Sequence, residues 1–169
     1  INKDTDSEGT ITNDDFSNFD IFCSPSNRCI ETAEKLGFSN IQLLDELKEI
    51  NYGDAEGKFF DQVLIENKYI QYALEQDRDF KIPNGESNKD VMNRILNLTS
   101  TLNEDSAFIT HQGVIRSLIG SSLEIPINRW HLISIPHATP IEFIKINGKY
   151  LLNIDRILFS KIMETFNEQ

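Results

Sequence analysis

Three polar segments carry the side chains best suited to chemistry, and each lies at or just after an apolar, strand-like run. SPSNR contains Arg28, ELKEINYG contains Glu49, and THQGVIR contains His111. An arginine can grip phosphoryl oxygens, a glutamic acid can give a proton to a leaving alkoxide, and a histidine can act as a nucleophile or stabilise charge. These three residues together would suit phosphate-ester chemistry.

Each of these residues also has a structural explanation. An arginine in the first turn of a helix is often solvated or ion-paired, and Glu49 is one of 27 acidic residues. His111 is the strongest candidate, because a position between an apolar strand and Gln-Gly at the mouth of a helix is unusual for a structural imidazole. His131 and His137 flank an apolar strand and are interpreted as hydrogen-bonded structural residues. No two histidines have a metal-ligand spacing.

The elements that must position these side chains alternate between strand and helix, which predicts an α/β fold with a parallel sheet. Residues 19–23 are predicted as a strand. A helix follows, with Ser24 as N-cap, Pro25 at its first position and Gly37 as its stop, and a second strand covers 41–44. Ligands of open α/β sheets bind at the carboxyl ends of strands, beside helix N-termini. We therefore expect the three polar segments to converge at that edge.

The rest of the chain has recognisable local signals. Residues 1–18 are predicted as loop, 45–60 as irregular and 61–76 as a helix. The later elements are a PNGES turn, a helix opened by a Ser87–Asp90 capping box, the buried strand AFIT, the helix VIRSLIGSSL, a hairpin turning at Asn147-Gly148 and a closing helix RILFSKIMETF.

Composition limits the class of protein. A chain of 169 residues suits one domain, and 16 Lys and Arg against 27 Asp and Glu argue against binding to nucleic acid. No apolar run reaches the roughly 18 residues that span a membrane. Cys23 and Cys29 do not form a disulfide framework. We expect a cytoplasmic protein that acts on small molecules.

Four blocks of the chain resemble, in order, the histidine phosphatase superfamily, in the branch that includes cofactor-dependent phosphoglycerate mutases and small-molecule phosphatases. The blocks are CSPSNRCIETAEKLG, LDELKEINYGDAEG, PNGES and ITHQGVIRSLIG, spaced over residues 20–120. The resemblance implies one domain over residues 1–169. It also implies a three-layer α/β/α fold of the phosphoglycerate mutase type, with a mostly parallel sheet and a C-terminal β-hairpin.

The resemblance assigns roles position by position. Arg28 matches the phosphate-binding arginine of a Ser-Pro-x-x-Arg block, and Glu49 matches the acidic residue of a Leu-x-Glu-x-x-x-Gly block. His111 matches the second histidine, which stabilises the transferring phosphoryl group. Tyr52 matches a substrate-facing tyrosine. Gln112 stands where many members have glycine, and its amide would narrow the pocket or contact the substrate.

One block of the family does not occur in the sequence. The nucleophile is the histidine of an Arg-His-Gly block before the Ser-Pro-x-x-Arg block, and no histidine precedes Ser24. Ile1-Asn2 could end such a motif, which would make Asn2 a pocket residue. We expect an additional strand carrying this block upstream, inside the sheet beside the strands that end at Ser24 and His111. Adjacent, fully paired strands there, with no additional strand, would favour a nonhydrolytic relative.

The resemblance implies a phosphomonoesterase that forms a phosphohistidine and acts on a small phosphorylated substrate. It needs no metal or cofactor, because arginine and histidine supply the positive charge. The alternatives are an inactive binding or regulatory module and a mutase-type phosphotransferase. A cysteine phosphatase is a weaker alternative, because four residues separate Cys23 from Arg28 where that chemistry needs five. The segment 59–81, which tends to cover the pocket in such proteins, does not identify the substrate, and the oligomeric state stays open.

Overall fold

The computed structural model describes residues 16–76, 79–137 and 139–153. The chain divides into two compact units. The first unit combines the residues up to Lys48 with Leu102–Thr110, and the second combines Glu49–Thr101 with the residues from His111 onward. Asn2, most of the predicted N-terminal loop and the predicted closing helix lie outside the described residues.

The first unit contains a parallel three-stranded sheet in the order β2-β1-β3. Its strands are β1 (Asp20–Cys23), β2 (Gln42–Leu43) and β3 (Ser106–Ile109). Helix α1 (Asn27–Lys35) packs on this sheet. The buried core of the unit consists of Ile21, Cys23, Cys29, Ala33 and Phe38. The predicted α/β class and parallel sheet are confirmed.

Helix α1 begins later than the sequence predicts. Its N-cap is Ser26, and Ser24 is fully buried with its N–H donated to the Ile109 carbonyl at 2.9 Å. The predicted N-cap at Ser24 is therefore wrong, because that residue continues the ladder between β1 and β3. The predicted stop is confirmed, since Gly37 follows the C-cap with a φ of 82°.

The strands that lead to Ser24 and His111 are direct neighbours. Strand β1 pairs with β3 along all four residues of each, from Asp20 opposite Ser106 to Cys23 opposite Ile109. An additional strand therefore does not lie between β1 and β3, whose backbone groups bond to each other. That an upstream strand exists elsewhere in this sheet stays a prediction. Among the described residues β3 has no strand on its other edge, and its residues are partly buried where the sequence predicted a buried strand.

The second unit is mainly helical and ends in a hairpin. Its helices are α2 (Phe60–Glu66), α3 (Lys68–Glu75), α4 (Asn88–Ser100) and α5 (Gln112–Ser122), and its strands are β4 (Glu142–Ile146) and β5 (Lys149–Asn153). The single helix predicted over 61–76 is interrupted at Asn67. The Asn67 side chain donates to the Val63 carbonyl at 3.1 Å, a local hydrogen bond of the kind that competes with helix continuation.

Two local predictions in the second unit are confirmed and one is wrong. Ser87 and Asp90 form the predicted capping box of α4. Asn147 and Gly148 both have positive φ and join β4 to β5, as a two-residue hairpin turn requires. No strand lies between His131 and His137; instead a 3₁₀ helix covers Ile127–Leu132, with the Trp130 indole packed inside and donating to the Ile125 carbonyl at 2.9 Å.

Candidate active site

The sequence-predicted site residues fall into both units. Arg28 lies in the first unit, at the second position of α1, and is exposed. Glu49, Tyr52, His111 and Gln112 lie in the second unit. The structure brings these four into one neighbourhood around the N-terminus of α5. That Arg28 shares a phosphate site with His111 stays a prediction.

His111 is the N-cap residue of α5. Its backbone is extended, with φ −115° and ψ 162°, and only 5% of the residue is exposed. Its carbonyl accepts the Ile115 N–H at 3.1 Å, while its side chain makes no capping hydrogen bond. The imidazole is thus placed at a helix end where free N–H groups and the helix dipole favour an anion.

Glu49 supplies the side-chain cap that His111 does not. The Glu49 Oε1 atom accepts the Gly113 N–H at 3.0 Å and also the N–H of Ile50 at 3.0 Å. Gly113 is the second residue of α5, so its N–H is one of the groups that a helix cannot satisfy internally. A carboxylate from a loop distant in sequence therefore satisfies one of the N–H groups at this helix end and lies beside the His111 position.

Gly113 permits this contact because it has no side chain. A Cβ atom at position 113 would collide with Glu49 Oε1 and would lie 3.1 Å from Cγ2 of Ile50. This glycine was not among the residues predicted to be functional. The available clue in the sequence is that glycine, a poor helix former, stands in the first turn of a helix. Such a glycine can indicate that another part of the chain approaches closely.

Tyr52 lies within electrostatic reach of the same carboxylate. Partial burial raises the pKa of its hydroxyl, the charge of Glu49 raises it further, Arg116 lowers it and Glu56 raises it. The residue is 45% exposed, and its N–H donates to Glu56 Oε1 at 3.0 Å. This placement is compatible with the predicted role of Tyr52, which is to face the substrate beside Glu49, the predicted proton donor.

Gln112 and Arg116 lie one turn apart on α5 and hold the same backbone segment. The Gln112 amide donates to the Ile135 carbonyl at 3.4 Å, and Arg116 Nε donates to the Ile133 carbonyl at 2.8 Å. The amide predicted to contact substrate is thus engaged with the main chain, and its role in substrate binding stays a prediction. Arg116 was missed, because a sequence gives no signal for a bond to a carbonyl 17 residues away.

The geometry around Cys23 opposes the cysteine phosphatase alternative. The thiol is fully buried and donates to the Ser24 carbonyl at 3.2 Å. Burial, with a smaller effect of Cys29, raises the pKa of Cys23 to about 11. A thiol that stays protonated at neutral pH is a poor nucleophile, because the thiolate is the reactive form.

The described part of the chain contains neither a metal-binding cluster nor a membrane-spanning helix. No three His, Cys, Asp or Glu side chains there are grouped so that they could hold a metal ion. None of the helices described has the length and apolar character needed to cross a bilayer.

Comparison with known proteins gives one family and several solved structures of similar fold. The Histidine phosphatase superfamily (branch 1) matches residues 11–151. No curated protein matches the chain. A mycobacterial glucosyl-3-phosphoglycerate phosphatase, solved with inorganic phosphate, is 20% identical, with a TM-score of 0.63 over 85% of this chain and 79% of that one.

Two further solved structures have a similar fold. YhfR of Bacillus stearothermophilus is 22% identical, with a TM-score of 0.62 over 80% of this chain and 72% of its own. A protein of Thermus thermophilus is 24% identical, with a TM-score of 0.61 over 81% of this chain and 74% of its own. At these identities the likeness concerns the fold.

Proposed function

Because the chain belongs to the histidine phosphatase superfamily, branch 1, as its four sequence blocks predicted, we propose that it hydrolyses phosphomonoesters through a phosphohistidine intermediate. One observation carries the proposal: the Glu49 carboxylate is fixed at the N-terminus of α5, the same helix end that begins at His111. A proton donor and an anion-favouring helix end are thereby adjacent, as cleavage of a phosphate ester requires.

Each residue has a defined role in the proposed reaction. The proposed nucleophile is a histidine upstream of the Ser-Pro-x-x-Arg block, as the resemblance implies; none of the three histidines of the sequence precedes Ser24. As its ring nitrogen bonds to phosphorus, the ester P–O bond breaks, and Glu49 gives its proton to the leaving oxygen. Water then attacks the phosphohistidine, Glu49 accepts a proton from it, and inorganic phosphate leaves. Arg28 and His111 stabilise the phosphoryl oxygens, and the proposal includes no metal or cofactor.

The proposed substrate is a small phosphorylated molecule. The superfamily and the phosphatase among the fold neighbours support this class. Tyr52, half-exposed beside Glu49, is proposed to face the substrate, and Asn2 and Gln112 are proposed as further pocket residues.

The test is phosphate release from the full-length protein. Glu49→Gln should slow hydrolysis of esters with poor leaving groups by about 100-fold or more, and esters with good leaving groups less, because only a poor leaving group needs the proton. Glu104→Gln, at an exposed acid in the bend before β3, is the matched control and should leave both rates unchanged. An equal loss for both classes of ester would assign Glu49 a structural role.

A second candidate function is a binding or regulatory module without catalysis. The direct pairing of β1 with β3, with no further strand on that sheet among the described residues, favours it. Such a module would bind inorganic phosphate but would release none from any ester and would not become phosphorylated on histidine. A mutase-type phosphotransferase would instead move the phosphoryl group to a second hydroxyl, which product analysis distinguishes.

A further inference from the structure

We propose that Arg94 and Glu86 are positioning residues for Glu49. They hold the backbone at Glu49 and at Asn51 and thereby restrain the direction in which the carboxylate can deliver a proton. This inference rests on the proposed function, because it concerns the side chain that acts there as the general acid.

Arg94 contacts both the Glu86 carboxylate and the backbone of Glu49. Its Nε donates to Glu86 Oε1 at 2.8 Å, and its Nη2 donates to Glu86 Oε2 at 3.2 Å. The same Nη2 donates to the backbone carbonyl of Glu49 at 3.4 Å. The two side chains are only 19% and 24% exposed. A bidentate ion pair that is this shielded from water restricts the positions of its two side chains more than an exposed ion pair does.

Glu86 holds the other side of the same segment. Its Oε2 accepts the Asn51 N–H at 2.9 Å, and its own N–H donates to the Asn51 carbonyl at 2.7 Å. Residues 49 and 51 are therefore both fixed by one ion pair, with Ile50 buried between them. Rotation of the main chain in this segment would break at least one of these bonds.

The pair is anchored on a rigid element. Arg94 lies in α4, a helix of 13 residues whose first turn is fixed by the Ser87–Asp90 capping box, and Glu86 immediately precedes that box. Burial raises the pKa of Glu86, but the hydrogen bonds from Arg94 and from the Asn51 backbone lower it below its usual value overall. The carboxylate stays charged at neutral pH, and the pair stays closed.

This restraint determines which oxygen of Glu49 is available. Oε1 already accepts two backbone N–H groups, from Ile50 and Gly113. Within the described part of the chain no hydrogen bond involves Oε2. In the proposed reaction the leaving group would therefore take its proton from Oε2, and the positioning pair restrains where Oε2 points.

The loop around Glu49 has other supports that do not depend on Arg94. The Asp54 N–H donates to the Pro83 carbonyl at 3.0 Å, and the Asn51 amide donates to the Asn84 carbonyl at 3.3 Å. Loss of Arg94 should therefore leave the loop docked and disturb mainly the orientation of the carboxylate. This separates positioning from simple support of the fold.

The first experiment uses the Gly113 amide as a reporter in the full-length protein. Because that N–H donates to Glu49 Oε1, its NMR shift should follow the titration of Glu49 with pH. Arg94→Met should reduce the amplitude of that titration about twofold or more, because hydrogen bonds weaken steeply as geometry degrades. Lys58→Met, which breaks an exposed ion pair with Glu66 elsewhere in the unit, is the matched control and should not change it.

The second experiment compares two esters on the same preparation. Arg94→Met should lower the ratio of alkyl phosphate to nitrophenyl phosphate hydrolysis by about 10- to 100-fold, the range expected when a catalytic group is misplaced. The ratio does not depend on the fraction of protein that is folded. Arg94→Lys keeps the charge beside Glu86 and should recover part of the loss.

The outcomes separate the inference from the function on which it rests. An unchanged Gly113 titration overturns the inference, and so does an unchanged ester ratio in an active protein. A wild-type protein that releases phosphate from neither ester overturns the proposed function, while the Gly113 titration still decides whether the pair positions Glu49.

Discussion

Replacing Gly113 by alanine tests the contact between Glu49 and α5 directly. At an ordinary helix position alanine is more stable than glycine by about 1 kcal/mol. Here its Cβ would collide with Glu49 Oε1, so the carboxylate must move away and lose its bond to the residue 113 N–H. A hydrogen bond to a charged group contributes about 1.5 to 3 kcal/mol. The difference predicts that Gly113→Ala lowers the free energy of unfolding by about 0.5 to 2 kcal/mol.

The control is the same substitution in a Glu49→Ala protein. With the carboxylate gone, the nearest remaining contact of the new Cβ is Cγ2 of Ile50 at 3.1 Å. Gly113→Ala should then be neutral or stabilising by up to about 1 kcal/mol. The two backgrounds should differ by about 0.5 to 3 kcal/mol, which is the coupling energy between residues 49 and 113.

Urea unfolding followed by tryptophan fluorescence measures all four proteins. Trp130 is the one tryptophan of the sequence and is 3% exposed, so its emission should change on unfolding. In a hydrolysis assay Gly113→Ala should also affect esters with poor leaving groups more than esters with good ones. If alanine stabilises the protein equally with and without the Glu49 carboxylate, the capping contact has no energetic importance and the reasoning fails.

Three further outcomes are expected. Arg28→Ala should weaken inhibition by inorganic phosphate by about 10-fold or more, since a charge-assisted hydrogen bond is lost, and an unchanged inhibition constant would place Arg28 outside the phosphate site. The pKa of Cys23 is about 11 in the folded protein, against an ordinary value of 9.0. Its contribution to stability should therefore be intact below pH 9.0 and should decline as the pH rises towards 11. In unfolding experiments, the Cys23→Ala protein should lack that part of the decline. The pKa of Glu86 is lowered by folding, so its contribution is present above its ordinary value of 4.5 and is lost as the pH falls through the folded value. Glu86→Gln should lose less stability on acidification, and equal acid sensitivity of the two proteins would contradict the ion-pair geometry.

The features predicted correctly from the sequence depend on residues close together in the chain. The capping box joins residues three apart, and the hairpin depends on Asn147 and Gly148 alone. The stop at Gly37 needs only a residue that accepts positive φ. Such signals are local, so the sequence displays them. The family was identified because four short blocks occur in a fixed order.

The features missed or predicted wrongly depend on distant partners. Serine is a residue type that favours the N-cap position, but the Ser24 N–H donates to the Ile109 carbonyl and so continues the pairing of β1 with β3. Glu49 was expected as a proton donor, whereas its role as the cap of α5 involves a residue 64 positions away. PNGES was predicted as a turn and as a family block, with no link to Glu49. The hydrogen bonds that the Glu86 carboxylate accepts from the Asn51 N–H and from Arg94 supply that link, and they form only in the folded structure.

The hydrogen bond from the Asp54 N–H to the Pro83 carbonyl joins the two ends of the chain segment that runs between these residues. Helices α2 and α3 lie between these two residues in the chain. A closed segment can change length cheaply, since each doubling costs only about 0.6 kcal/mol of closure entropy. The part of the chain expected to cover the pocket can therefore be exchanged as a module, by evolution or by grafting, while Glu49 keeps its place. Under the proposed function, substrate preference and acid catalysis would then be free to diverge at different rates.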